Sequence, residues 1–174
     1  MALAYDTTAG ATTTNKTINV ILTIANVADR VLIAFVVVHD SGAVTFTSVS
    51  GGSATWSKIA GGNGNGIARG EIWQGIAPSA GSQTITVTAS GLPSGSLNVF
   101  VVSLNGADQT APCINTNVTT SGNQTITNAA GDISLSAHTD TNDNRTVSGC
   151  TTTRDYSVWG NAGRDAAHCT GTPT

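Results

Sequence analysis

Short runs of β-branched residues recur along this chain, and a turn rich in Gly, Ser, Asn or Asp ends nearly every run. The run "QTITVTA" at 83–89 alternates Ile85 and Val87 with threonines, which predicts one apolar and one polar face. Thr makes up roughly one residue in six, well above its usual share. Because stiff β-branched side chains suit a pleated sheet, these features predict an all-β fold.

Other runs have the length and spacing of strands in a sandwich or barrel. The run 31–39, "VLIAFVVVH", is apolar on both faces, which is typical of a central strand covered on both sides or lying at an interface. Further strands are predicted at 17–25, 43–49, 54–59, 67–76 and 96–104. Weaker strands are predicted near 114–120, 123–128, 132–138, 144–149 and 155–159.

Two of the segments carry more specific predictions. In 43–49 the alternation places Val44, Phe46 and Ser48 on one face. The segment "AGGNGNG" at 60–66 is typical of a flexible hairpin tip, because Gly and Asn tolerate turn conformations. It lacks the Lys and the following helix of a phosphate-binding loop.

The runs together predict one domain over residues 1–174, with no break in composition and no convincing helix. Two antiparallel sheets packed face to face are the expected architecture. We therefore predict a β-sandwich of about 8–10 short strands with jelly-roll or related Greek-key connections.

The low charge of the chain excludes several classes of function. Charged residues make up 10% of the sequence and the net charge is -3, so no basic surface is expected to hold nucleic acid. The most apolar run, 31–38, is far shorter than the roughly 20 residues of a membrane helix. Neither a basic region nor a long apolar run follows Met1, which predicts synthesis in the cytoplasm without a signal peptide.

Candidate catalytic groups are few. His39 and Asp40 form half of a dyad at a strand end, where a solvent-exposed strand terminus is the simpler interpretation. His168 and Cys169 are adjacent, and residues adjacent in an extended chain point to opposite faces, so we interpret them as loop or strand-edge residues. No Gly-x-Ser-x-Gly motif is present. The sequence predicts no catalytic residues and no enzyme activity.

The acidic and metal-ligating residues also predict neither a catalytic site nor a metal site. Glu71 is the only Glu, and it shares a strand face with Arg69, which predicts a pair on a solvated strand instead of a two-carboxylate site. The motif "DTNDN" at 140–144 matches a calcium loop in composition only. Cysteines and histidines lack the paired spacing of a zinc site, so neither a metal nor a cofactor is predicted. One disulfide is possible among Cys113, Cys150 and Cys169, with Cys150–Cys169 preferred outside a cell, and its state stays open.

The tryptophans leave two interpretations. Trp56, Trp73 and Trp159 could stack against a sugar, and Trp73 shares its face with Arg69 and Glu71. Alternatively, each tryptophan caps the end of a sandwich core. The carbohydrate contacts predicted under the first interpretation are Trp73 and Trp56.

Several segments occur in a familiar order: "MALAYD", "VLIAFVVV", "TSVSGGSATWSKI", "EIWQGIAPSAGSQTITVT" and "NVFVVSLNGADQTAP". In this order they resemble a family of β-sandwich proteins found in bacteriophages and in bacterial and environmental genomes. The resemblance is close over residues 1–112 and loose beyond them. Its motifs are fold motifs and imply no catalytic residue.

The resemblance implies a virion structural protein, with a capsid decoration (cement) protein or part of a tail fibre as the forms expected. Such a protein would bind copies of itself, for example as a trimer, and a capsid or tail protein. The alternative is a carbohydrate-binding or receptor-binding adhesin domain of a tail fibre or cell-surface protein. Neither role requires nucleic acid or a membrane.

The segment "TGTPT" at 170–174 raises a further question. In the family that the chain resembles, a similar turn leads to a final apolar strand carrying Trp. Three explanations stay open: the sequence is a fragment, the sandwich closes without that strand, or a neighbouring subunit supplies it. The last explanation predicts an unpaired sheet edge.

Overall fold

The computed structural model describes residues 2–39, 44–64, 68–112, 132–140, 151–158 and 163–170. These residues form eleven strands and no helix. The strands are β1 (Ala4–Thr13), β2 (Thr17–Ile24), β3 (Val31–His39), β4 (Phe46–Gly51), β5 (Thr55–Gly64), β6 (Ala68–Ile76), β7 (Gly81–Ala89), β8 (Ser96–Asn105), β9 (Ile133–Asp140), β10 (Thr151–Val158) and β11 (Gly163–Thr170). The described part of the chain contains no apolar helix of membrane-spanning length.

The strands form three antiparallel sheets. The long sheet has the order β1-β8-β3-β6-β5, the short sheet β2-β7-β4, and the third sheet β10-β11-β9. Buried side chains of the long and short sheets share one apolar cluster, so these two sheets form a β-sandwich. The predicted fold class is confirmed.

The pairing order explains the winding of the chain. Strands β1 and β8, β2 and β7, and β3 and β6 pair as nested partners, which is the winding of a jelly roll. The next nested pair would join β4 to β5 within the short sheet. Instead β5 pairs with β6, so the long sheet gains a fifth strand and the short sheet keeps three.

A sharp corner between β4 and β5 accompanies this departure. Gly51, Gly52 and Ser53 all have positive φ, at 100°, 66° and 55°. A Cβ on Gly51 would lie 2.1 Å from the Thr84 carbonyl oxygen, so only glycine fits there. The corner carries the chain out of the short sheet, and β5 then joins the long sheet.

The sandwich consequently has two different sides. On the side that we call closed, β1 and β2 lie against each other, and the Asp6 carboxylate accepts hydrogen bonds from Ala25 N (3.0 Å) and Ser103 Oγ (2.9 Å). On the side that we call open, the short sheet ends at β4 while the long sheet continues through β6 to β5. No described strand pairs with the outer edge of β4.

Strand β3 lies between β8 and β6, as expected for a central strand. Leu32 and Val36 enter the core between the two sheets of the sandwich. Ile33 and Phe35 enter a second cluster on the opposite face of the long sheet, together with Ile133 and Leu135 of β9. The apolar run is therefore covered on both faces, which confirms the first of the two predictions made for it.

The prediction for β4 is partly wrong. Val44 and Phe46 are buried, but Ser48 is exposed and Val49 is 6% exposed. A β-bulge between Phe46 and Ser48 inserts one residue and reverses the alternation. The sequence pattern alone does not mark that insertion.

The extent of one loop prediction and the placement of another are wrong. β5 and β6 form the predicted hairpin, but residues 60–64 of the predicted tip belong to β5, which stays paired with β6 as far as Gly64 opposite Ala68, and residues 65–66 lie outside the described residues. His168 and Cys169 lie in β11, the central strand of the third sheet. In both places pairing with a neighbouring strand sustains an extended backbone that local propensity does not indicate.

Strand β1 was not predicted, because its side chains toward the core are small, such as Ala9 and Ala11. The runs predicted at 132–138 and 155–159 correspond to β9 and β10. Several predictions lie outside the described residues: the strands near 114–120, 123–128 and 144–149, and the roles considered for Asp40, Cys113, Cys150, Trp159 and residues 141–144.

Candidate functional site

The most distinctive group of polar side chains lies at the open side, on β6. Arg69, Glu71 and Trp73 are paired with the positions of β3 whose side chains enter the sandwich core. The three residues therefore share the inner face of the long sheet. Their common face was predicted from the alternation in the sequence, but its inward direction was not.

Strand β5 adds two side chains to the same face. Trp56 pairs with Gly75 and Lys58 pairs with Trp73, and a bulge between Lys58 and Ala60 precedes the pair of Gly61 with Glu71. We call Trp56, Lys58, Arg69, Glu71 and Trp73 the β5–β6 cluster. Sequence reasoning did not place Lys58 in it, because the register of β5 depends on the bulge.

Two glycines make room for the cluster. A Cβ on Gly75 would lie 2.9 Å from two ring atoms of Trp56, so the indole rests directly against the Gly75 backbone. A Cβ on Gly61 would lie 3.0 Å from Cγ of Glu71. The close approach of both large side chains to the sheet therefore depends on the absence of a side chain at their partners.

Glu71 is the centre of the cluster and is only 4% exposed. Its Oε1 lies 3.3 Å from Lys58 Nζ and 3.5 Å from Arg69 Nε, and its Oε2 accepts a hydrogen bond of 2.9 Å from Trp73 Nε1. The predicted pairing with Arg69 is present, but the predicted solvated strand is wrong because this face points inward. A buried carboxylate needs such partners to offset the loss of water.

The two cations lie between the buried Glu71 carboxylate and the solvent. The Lys58 side chain is 46% exposed and the Arg69 side chain 33% exposed. One carboxylate between two cations leaves one net positive charge at the surface of the open side. With two hydrogen-bond donors and a second cation around Glu71, the arrangement is that of an anchoring ion pair.

Both tryptophans of the cluster are half-buried and pack against the sandwich core. Trp56 Nε1 donates to the Gly51 carbonyl oxygen at 2.9 Å, and Trp73 Nε1 donates to Glu71. Since Trp56 pairs with Gly75 and Trp73 with Lys58, the two indoles are diagonal neighbours on one face. They cover the core at the open side and still keep part of their surface in solvent.

The other candidates from the sequence lie elsewhere. His39 ends β3, and its carbonyl oxygen accepts a hydrogen bond of 3.0 Å from Gly95 N. His168 and Cys169 lie in the third sheet, whose strands do not pair with β5 or β6. Across the described residues, no three His, Cys, Asp or Glu side chains are grouped closely enough to hold a metal ion.

A second surface is notable for its lack of charge. The outer face of the short sheet combines every second residue of β2 and β7 with Ser48 and Ser50 of β4, and none of them is ionisable. Ile21 lies on this face and is 66% exposed. The members of the face are Thr17, Asn19, Ile21, Thr23, Ser48, Ser50, Ser82, Thr84, Thr86 and Thr88.

Comparison of the chain with protein-family models, curated proteins and solved structures gives no match. The β5–β6 cluster and the outer face of the short sheet are therefore the two features from which a function can be inferred.

Proposed function

We propose that this protein is a non-enzymatic structural component of a virion, a capsid decoration protein that binds copies of itself and the capsid shell. The outer face of the short sheet carries this proposal. It bears no ionisable group and exposes Ile21, whereas the surface of a soluble monomer usually mixes charges of both signs. Depletion of charged residues is characteristic of the centre of protein interfaces.

The β5–β6 cluster also favours a structural role over a catalytic one. Glu71 is buried, accepts hydrogen bonds from Lys58 and Trp73 and lies beside Arg69, which suits an anchor of the fold better than a proton-transferring group. The jelly-roll winding also recurs in viral capsid proteins, so the fold agrees with this role by analogy.

The assembly role is tested by charging the uncharged face. We expect Ile21→Lys to weaken self-association by about tenfold or more, because it places a charge within the proposed interface. Leu92→Lys is the matched control, since Leu92 is also an exposed apolar residue, at 72%, but lies in the turn between β7 and β8. Sedimentation velocity over a concentration series measures the effect.

Equal behaviour of the two variants would contradict the proposal, as would a wild-type protein that stays monomeric and does not bind to particles. Mass spectrometry of purified virions tests the location directly. The proposal expects the intact chain in stoichiometric amounts on the particle.

A carbohydrate-binding adhesin is the second candidate, and the diagonal pair Trp56 and Trp73 favours it. Two partly exposed indoles beside Lys58 offer stacking surfaces and a hydrogen-bond donor, which sugar sites combine. Glycan-array binding that is lost in both Trp73→Ala and Trp56→Phe would establish this function. Binding to no glycan, with both indoles intact, would exclude it.

A further inference from the structure

We propose that the outer edge of β4 accepts a single extended strand from a partner polypeptide, which completes the short sheet and runs over the β5–β6 cluster. This inference deepens the assembly function proposed above and rests on it for its biological setting. It names the surface used and the chemistry of the partner segment.

The first basis is the unequal width of the two sheets. Among the described strands, the short sheet has three against five in the long sheet, and β2 lies against β1 and β8 at the closed side. The missing width is therefore at the open side, opposite β6 and β5. Neighbouring strands are about 4.8 Å apart, so one added strand beside β4 would lie over the inner face of β6.

The second basis is the composition of β4 and the segment that leads into it. Exposed edge strands are usually protected by charged residues or proline, and residues 44–51, "VTFTSVSG", contain neither. The bulge after Phe46 is the only irregularity of its pairing with β7 in the described structure. By contrast, β5 carries Lys58 and β1 carries Asp6. The other edge strand of the short sheet, β2, also lacks charge and proline, but it lies against β1.

The geometry also limits the partner to one extended segment. A second copy that paired through its own β4 would bring its long sheet beneath the shared short sheet. That space is already occupied by β6 and β5 of the first copy. An isolated arm of a shell or tail protein brings no second layer and therefore fits.

Charge and polarity specify the segment further. Its inward side chains would meet the indoles of Trp56 and Trp73 and the exposed end of Lys58, so apolar residues and one carboxylate are expected there. Its outward side chains would extend a face that has no ionisable group, so uncharged polar residues are expected on that side.

A synthetic peptide of the sequence Thr-Val-Thr-Val-Thr-Asp-Thr-Val-Thr serves as the probe. We expect it to protect the backbone amides of residues 46–51 from hydrogen exchange and to leave those of β2 unchanged. In a Trp159→Phe protein, the remaining tryptophan emission should shift to shorter wavelength as Trp56 and Trp73 lose contact with water. A peptide with Lys in place of Asp should bind more weakly.

The variant Lys58→Met tests whether Lys58 contacts the Asp side chain of the peptide. Lys58→Met should lower the affinity for the Asp peptide by about two- to fivefold, the effect of a partly exposed ion pair, and should leave the affinity for the Lys peptide unchanged or higher. Circular dichroism checks that the variant folds. Hydrogen exchange of the wild-type protein with the peptide locates the bound strand even if the variant does not fold.

Three results would overturn the inference: no protection at millimolar peptide, protection on β1, β2 or β5 instead of β4, or protection of β4 that grows with protein concentration without peptide. The last result would identify a second copy as the occupant. If the peptide fails to bind while Ile21→Lys still disrupts assembly, the proposed function stands and only this inference is lost.

Discussion

The two sides of the sandwich are closed by different means. At the closed side, β1 and β2 lie against each other, and Asp6 joins the backbone after β2 to Ser103 of β8. At the open side no described strand extends the short sheet beyond β4, and the β5–β6 cluster covers the core with large side chains. Both β2 and β4 are edge strands of the short sheet, but β2 lies against β1, whereas only side chains of the long sheet cover the core beside β4 in the described structure.

This difference shows how a jelly roll can leave the outer edge of β4 without a described strand beside it and still cover its core. Moving β5 from the short to the long sheet removes one strand over β6, and two tryptophans and an ion-paired carboxylate take its place. The corner that redirects β5 is therefore the first place to test the comparison.

The largest effect is expected at that corner. Gly51→Ala should lower the free energy of unfolding by about 4 kcal/mol, because its Cβ would lie 2.1 Å from the Thr84 carbonyl oxygen at a φ of 100°. Gly81→Ala is the control, since Gly81 also has positive φ but no heavy atom lies within 4 Å of its added Cβ, and it should cost about 1 kcal/mol. Urea denaturation measures both, and equal costs would contradict the role of the corner.

Packing should be stronger at the closed side. Ile24→Ala in β2 removes a side chain that is 1% exposed and should cost about 3 kcal/mol. Trp56→Ala removes a larger but half-exposed side chain and should cost about 2 kcal/mol. A greater loss from Trp56→Ala, measured by the same denaturation, would mean that the open side is packed as tightly as the closed side.

The ion pairs at the open side should contribute less. Glu71→Gln keeps the volume and loses the attraction to Lys58 and Arg69, so it should cost about 1–2 kcal/mol. Lys58→Met removes a cation whose side chain is 46% exposed and should cost below about 1 kcal/mol. If Lys58→Met costs more than Glu71→Gln, the buried carboxylate is not the centre of the cluster.

The smallest effect is expected in the exposed segment after β8. Hydrogen bonds from the backbone of Thr110 and Ala111 lower the pKa of Asp108 below its ordinary value of 3.8. A lowered pKa contributes stability above about pH 4, and that contribution is lost as the pH falls through the folded-state value. Melting temperatures of the wild type and Asp108→Asn should therefore differ slightly at neutral pH and converge in acid. A difference between the two melting temperatures that widens in acid would contradict a lowered pKa of Asp108.

Much of the sandwich could be predicted from the sequence. The alternation of Ile85 and Val87 with threonines predicts the two faces of β7, and the apolar run 31–39 predicts a central strand. Strand β1 was not predicted, because its core-facing residues Ala9 and Ala11 are hardly more hydrophobic than the Thr and Gly residues next to them. The bulge after Phe46 and the continuation of β5 through Gly61–Gly64 depend on pairing with other strands, which local sequence does not encode.

The candidate site was predictable only in part. Alternation placed Arg69, Glu71 and Trp73 on one face, and the pair of Arg69 with Glu71 followed from it. The inward direction of that face could not be predicted, because charged residues usually mark the solvent side of a strand. Lys58 reaches Glu71 only through the register of β5, which the bulge after Lys58 sets.

Native-state hydrogen exchange of the isolated protein, resolved by residue, tests the difference between the two sides most directly. The account predicts that the amides of β4 (Phe46–Gly51) exchange through local opening at lower free energy than the amides of β2 (Thr17–Ile24), although both strands flank β7. Equal protection of β2 and β4 would contradict it, because the edge of β4 would then be as well closed as that of β2.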